Sequence, residues 1–370
     1  MRVAAVIARS DTIGGANIHV RDLALALGPH GIETKVFVGG DGPFIADLSR
    51  HGVPHTVIPT MGRALDPTAD VRAYRALVAS VRAWQPDLVA AHTAKAGALM
   101  RIAGRATGVP VVYTPHGWSF FNGERGLKVH AFRWLERGLG RLPATIIHVS
   151  EHERSLADQN RLGIATDAVV IPNGVPDILP SLQAQPQRTP VRIISVARFE
   201  PPKDQRALLQ ALAKLRDREW TMDFIGDGPL LPSAVRLAED LAIRDRVRFH
   251  GFSTQVEQLL ASSQIFVLVT RAESFPLTIL EAMRAGLPVV ASAVGGITEI
   301  VRPEIDGILV RNGDIPGLRI ALQRLLESSH LRGQLGTAAR AHYAGSFSHD
   351  RMVEQIADLY KRLTRVRQPA

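Results

Sequence analysis

The sequence predicts an α/β chain built from two successive doubly wound halves, on three observations. Apolar strand-like runs alternate with amphipathic helical stretches along the chain. One proline- and glutamine-rich segment interrupts that alternation near the middle. At 370 residues the chain is also about two to three times the usual domain length. With 46% hydrophobic and 21% charged residues, a disordered chain is excluded. Arg, His, Asp or Pro cuts every apolar run within about ten residues, short of the 18 or so a membrane span needs. The amino terminus lacks the basic start and small-residue cleavage site of a leader, so a cytoplasmic location is expected.

The elements follow in order. Residues 2–8 read as a buried strand, Gly14 and Gly15 as a tight turn, and residues 16–27 as a helix with Val20, Leu23, Ala24 and Leu27 on one face. Strands are expected over 34–38, 88–91, 111–114 and 145–149, with helices over 70–84 and 96–107. Ser150 with Glu153 forms a capping box that opens another helix. Pro176, Pro180, Pro186 and Pro190, mixed with Gln183, Gln185 and Gln187, read as the interdomain linker. The pattern then restarts, with strands over 191–197, 221–225, 247–250, 265–270 and 289–291 and helices over 205–215 and 231–241. The expected domains are 1–178 and 179–349, with a last helix over about 350–370 packing back on the first. Two such halves are expected to face a central cleft, and open parallel sheets bind ligands at the carboxyl ends of their strands. The chemistry is therefore sought in loops that follow strands.

The absence of cysteine removes disulfides, thiolate metal sites and cysteine nucleophiles. A net charge of +9 favours an anionic partner, whether nucleic acid, a membrane face or a phosphorylated small molecule. Lysine is scarce, which singles out Lys203, five residues after Arg198 and just past Pro201 and Pro202. The prolines forbid helix there, so a guanidinium fork and a point charge stand together at a strand end and suit a diphosphate; two solvated surface charges are the alternative. Glu273 and Glu281 are seven residues apart in between, with Ser274 as a helix N-cap and Pro276 in the first turn. Glu281, two turns along, can accept hydrogen bonds from two ribose hydroxyls, while Glu273 reaches the sugar or phosphate end. The amides of Phe275, Leu277 and Thr278 and the helix dipole favour an anion between them. The structural alternative pairs Glu281 with Arg284 or Arg302.

The run from Glu273 through Met283 resembles the E-x7-E signature of family 4 retaining glycosyltransferases, continued by Ala285-Gly286-Leu287-Pro288-Val289-Val290. Gly14-Gly15, Thr114-Pro115-His116-Gly117, Pro172-Asn173-Gly174-Val175, Arg198 with Lys203, Gly226-Asp227-Gly228-Pro229 and Gly295-Gly296 match further family landmarks in order, from about Gly14 to Tyr360. The resemblance implies a GT-B fold of two Rossmann-like domains, the second binding a UDP- or GDP-sugar. Arg198 and Lys203 would neutralise the departing diphosphate. Glu281 would hold the ribose and Glu273 the donor sugar, with Gly226, Ser274, Phe275, Pro276, Leu277 and Thr278 lining the donor. Gly251 and Phe252 would lie near the base. Gly14 and Gly15 would let the first domain approach the diphosphate, and His116 would sit over the sugar near the anomeric carbon. The resemblance also implies retention of configuration without a carboxylate nucleophile. No Asp-x-Asp element is present, so neither metal nor other cofactor is expected. His148 and His152 lack zincin spacing and read as core or surface residues. Ser274 stands where the family often has glycine, and Pro176 where aspartate is frequent.

The acceptor side is less legible. Lys95, in His92-Thr93-Ala94-Lys95-Ala96-Gly97, stands at a strand end and would contact an acceptor phosphate or cap a carbonyl. Trp118 opens the aromatic run to Asn122, and the helix over 127–142 carries Lys128, Arg133, Arg137 and Arg141 beside Phe132, Trp134 and Leu139. That helix suits either an anionic membrane surface or a core that takes Trp134. A glycan or polyprenyl-diphosphate-linked acceptor accounts for both features, as in similar polysaccharide biosynthesis enzymes, and implies a peripheral place on the inner membrane face. The alternatives are a nucleotide-sugar epimerase, for which no acid/base set stands out, and a nucleic-acid-binding protein. Against nucleic acid, the basic residues are spread over both halves without a recognition motif.

Overall fold

The computed structural model describes residues 1–62, 66–118, 127–163 and 167–365. The chain divides into two compact units, the first made of Met1–Asn173 with the chain from Asp350 onward and the second of Gly174–His349. In the first unit the strands are β1 (Arg2–Ile7), β2 (Glu33–Gly39), β3 (His55–Ile58), β4 (Leu88–His92), β5 (Val111–Thr114), β6 (Thr145–His148) and β7 (Asp167–Val170). They form one sheet of order β3-β2-β1-β4-β5-β6-β7, parallel throughout. Helices cover both faces, so the central strands read as unbroken apolar runs: Val3 to Ile7 and Leu88 to Ala91 are all buried. The order turns back between β1 and β4, whose carboxyl ends, Ile7 and His92, are in register.

The helix His349–Arg365 supplies Met352, Val353, Ile356, Ala357, Leu359 and Tyr360 to a core shared with Val3, Leu23 and Leu88 of the first unit. Residues 366–370 of the expected terminal helix lie outside the described residues. The second unit repeats the plan with β8 (Arg192–Val196), β9 (Thr221–Ile225), β10 (Val247–Phe249), β11 (Ile265–Leu268), β12 (Val289–Ser292) and β13 (Gly307–Val310). Its order is β10-β9-β8-β11-β12-β13, again parallel, with the switch between β8 and β11.

Two expectations change. The proline-rich segment from Pro176 to Pro190 is not a free linker but is packed onto the second unit. Prolines lack an N–H yet keep their carbonyls, and buried arginines take those up: Arg284 Nη1 donates to Pro176 O (2.7 Å) and Arg332 Nε to Pro186 O (2.6 Å). Arg340 also pairs with Asp177 at 2.6 Å, and Tyr343 Oη donates to Val175 O. The chain therefore passes between units at Asn173–Gly174 rather than at 178. The capping box is only half made. Ser150 Oγ accepts from the Glu153 amide at 3.0 Å, but the Glu153 carboxylate accepts from Val149 N (2.9 Å) and Gly117 N (2.6 Å) instead of returning to Ser150.

Candidate active site

In the second unit the loops after β8 and β11 leave the sheet side by side at its switch point, the place where open parallel sheets bind their ligands. Backbone bonds staple them: Asp204 N to Val269 O (2.9 Å) and Arg271 N to Pro202 O (3.0 Å). The staple brings Lys203 against Glu273 in a nearly buried ion pair. Burial and the neighbouring Arg198 push the Lys203 ammonium down to about 7, with Glu200 opposing them. Arg198 Nη1 pairs with Glu200 at 2.7 Å and stays 43% exposed, so it can turn to an incoming anion.

Two glycines let the backbone pack closely beside Arg198 and Glu273. Gly226 has φ 132°, bonds across to Gly251 (N to O, 2.8 Å), and a Cβ on it would strike the Ala197 carbonyl just before Arg198. Gly295 has φ 54°, and a Cβ there would strike the Glu273 carbonyl, while Gly296 N donates to that same oxygen at 3.1 Å. Phe252, beside Gly251, is 62% exposed, a large apolar face at the carboxyl end of β10.

The helix Leu277–Arg284 starts later than expected, and Ser274 does not cap it. Pro276 is the N-cap, with extended ψ of 121° and no side-chain cap bond, so the first-turn amides of Leu277 and Thr278 have no acceptor within the helix. Phe275, Pro276 and Leu277 are buried, while Ser274, Thr278 and Glu281 remain partly exposed. Arg284 pairs with Glu257 (2.9 Å) and Arg302 with Asp306 (2.5 Å).

In the first unit the helix Gly15–Ala26 begins at Gly14, which is extended rather than left-handed. Asn17 accepts from Gly14 N (3.3 Å) and donates to Arg9 O (2.7 Å), so neither glycine is demanded by local backbone strain. His116 has φ 54°, and its loop is held by the Gly117 bond to Glu153. Its ring lies nearly coplanar with that of His92, the last residue of β4 (21° between planes), with Nε2 3.0 Å from His92 Nδ1, and packs edge-on to His19 at 4.8 Å between centroids. Among the described residues these three imidazoles are the one group spaced to hold a metal ion, with ligand atoms within 4.8 Å of one another. Burial lowers His92 and His116 well below the usual imidazole range, helped by His19 and His92 respectively, so both are neutral near pH 7. Sequence reasoning found His116 but not His19 or His92; the signal available for His92 was its place as the last residue of a strand at the switch point, whereas His19 lies within the first helix and no strand end marks it.

One acceptor-side expectation is corrected. Trp118 is buried in the core, its Nε1 donating to Glu153 O (3.1 Å) and its ring edge-on to Tyr113. An indole with its N–H satisfied is good core material, so it presents no surface to an acceptor. Lys95, in the first turn of the helix that follows β4, pairs with Asp70 at 2.6 Å and is 11% exposed. Residues 119–122 of the aromatic run and the side chain of Lys128 lie outside the described residues.

Two family models match in series: "Glycosyl transferase 4-like domain" over residues 14–174 and "Glycosyl transferases group 1" over 182–342. The chain is a glycosyltransferase built from these two domains. The transferase is 27% identical to an Escherichia coli UDP-Gal:alpha-D-GlcNAc-diphosphoundecaprenol alpha-1,3-galactosyltransferase, over 86% of each chain. It is also 27% identical to the D-inositol 3-phosphate glycosyltransferase of Salinispora tropica, over 94% of this chain and 80% of that one. Among solved structures, Anabaena HepE in complex with UDP and glucose superposes with a TM-score of 0.85 at 23% identity, over 98% of this chain and 100% of that one. Sucrose-phosphate synthase from Thermosynechococcus elongatus gives 0.86 at 21% identity, over 99% and 100%. These show the GT-B fold. The epimerase alternative draws no support from relatives that carry transferase names. Among the described residues no helix is long and apolar enough to cross a membrane.

Proposed function

We propose that the transferase moves a hexose or N-acetylhexosamine from a UDP-sugar to a glycan or polyprenyl-diphosphate-linked acceptor with retention of configuration, without a metal ion. The observation that carries this reading is the Lys203–Glu273 contact beside Arg198 at the β8/β11 switch point. A nearly buried ammonium already paired with a carboxylate is poised to exchange that partner for a diphosphate. Arg198, freed from Glu200, adds a two-pronged donor, and the Leu277 and Thr278 amides add the helix start. Together these groups offset the charge that grows on the leaving diphosphate, the task a metal performs elsewhere. Once Lys203 turns to phosphate, Glu273 is free to accept from sugar hydroxyls. Glu281, one face further along the helix, takes the ribose, and Phe252 stacks on the base. The departing phosphate takes the acceptor proton, and His116 acts at the donor sugar.

The UDP assignment is supported by the E. coli relative, whose name carries UDP-Gal and a diphosphoundecaprenol acceptor, and by the UDP bound in HepE. A lipid-linked acceptor agrees with the helix Leu127–Leu139, which leaves Trp134 68% and Leu135 47% exposed, with the Arg137 guanidinium over the indole at 5.2 Å. Trp134 is thus on the surface, as a membrane-facing helix requires. The deciding experiment is thermal stabilisation by UDP, GDP and a single-stranded oligonucleotide, with Arg198→Ala alongside the native chain. Stabilisation by UDP that Arg198→Ala removes is expected. Stabilisation by the oligonucleotide alone, unchanged in the variant, would refute the reading.

A further inference from the structure

Three imidazoles meet where the first unit's sheet changes winding direction: His19 from the first helix, His92 from the end of β4 and His116 from the loop after β5. A cation shared by all three would need lone pairs directed at it. His92 Nδ1 and His116 Nε2 are instead spaced at 3.0 Å as donor and acceptor, with one proton between them. Which ring owns that proton follows from hydrogen-bond accounting. His92 is 1% exposed, and its other nitrogen, Nε2, is buried with no hydrogen-bond partner among the described residues. A proton on Nε2 would be a buried donor with nothing to bond, the rarer and costlier defect, whereas a bare lone pair there is better tolerated. The proton therefore sits on His92 Nδ1 and is donated to His116 Nε2. A neutral His116 with Nε2 accepting must carry its own proton on Nδ1.

We propose that His92 is a positioning residue that fixes His116 as its Nδ1–H tautomer, so that His116 offers the substrate a hydrogen-bond donor and not a base. The left-handed backbone of His116 and the Gly117–Glu153 bond hold the ring in place for this pairing. Burial keeps both imidazoles neutral, so the tautomer rather than the charge decides what His116 can do. The catalytic consequence rests on the transfer function proposed above; the tautomer itself does not.

The test is long-range 1H–15N spectroscopy of the full chain labelled with 15N-histidine at neutral pH, with His116 assigned by comparison with His116→Gln. A protonated Nδ1 and a bare Nε2 are expected for His116. His92→Asn, which places an amide N–H where Nδ1 stood, should keep that tautomer. His92→Leu should shift it toward Nε2–H and lower kcat about 10- to 100-fold with little change in KM, a loss His92→Asn largely restores. An Nε2–H His116 in the native chain, an unchanged tautomer ratio in His92→Leu, or stoichiometric zinc uptake that His92→Leu abolishes would each overturn the proposal. Failure to turn over any nucleotide sugar would instead overturn the transfer function, since the spectra need no substrate.

Discussion

Replacing Lys203 by Met tests the donor site at its most constrained group. Burial and Arg198 hold the ammonium at about 7 in the unliganded chain, and the contacting Glu273 carboxylate only favours the charged form, so the titration window opens no lower than that. A diphosphate adds negative charge beside it and raises the pKa. Binding therefore favours the protonated lysine: affinity is full below pH 7 and falls as pH rises, by up to about tenfold per unit, until the bound-state pKa is reached. One charge-assisted contact of about 1.5–3 kcal/mol raises that pKa by roughly one to two units. UDP-glucose, whose phosphates carry no proton that titrates near neutrality, should then lose about 5- to 30-fold in affinity between pH 7 and 9, because half of the free-state lysine is already neutral at pH 7. Lys203→Met should bind about 10- to 100-fold more weakly at pH 7 and show no such slope. Calorimetry in two buffers of different ionisation enthalpy reads both the affinity and the proton taken up. The variant leaves Glu273 nearly buried and unneutralised, so Lys203→Met with Glu273→Gln serves as the folding control. A flat native profile, or an equal slope in the variant, would refute the reasoning.

Three further outcomes are expected. Phe252→Ala should leave Tm unchanged, because the ring is mostly exposed, while UDP affinity measured by calorimetry drops about tenfold for a lost stacking contact of about 1–1.5 kcal/mol. Arg332→Ala should destabilise the second unit by about 3–5 kcal/mol in urea unfolding, because the buried guanidinium satisfies the carbonyls of Pro186, Leu325, Leu326 and Arg188. Trp134→Glu should weaken co-sedimentation with vesicles containing anionic lipid several-fold, with unchanged UDP binding and Tm.

The two sheets were legible because parallel strands buried on both faces must be apolar throughout: residues 111–114 and 221–225 appear at their expected bounds. Of the edge strands, β10 was expected over 247–250 and is present, while β3, β7 and β13 escaped notice, β13 because its run is only four residues long and opens on Gly307. β3 and β7 are short and half-exposed, so no run of apolar residues marks them. The residues proposed to meet the donor were legible as strand-end loops, since their spacing along the chain is local. Chain order alone therefore determined two wound units, their strand-end loops and the cations and carboxylates those loops carry. It could not show that Lys203 touches Glu273, that Trp118 is interior, that arginines bind the proline-rich segment, or that His19, His92 and His116 share one pocket of imidazoles. Those pairings join positions tens of residues apart, and they depend on which strands become neighbours when the sheet reverses its winding. That choice is made by the packing of the whole unit and leaves no periodicity in the residues that meet.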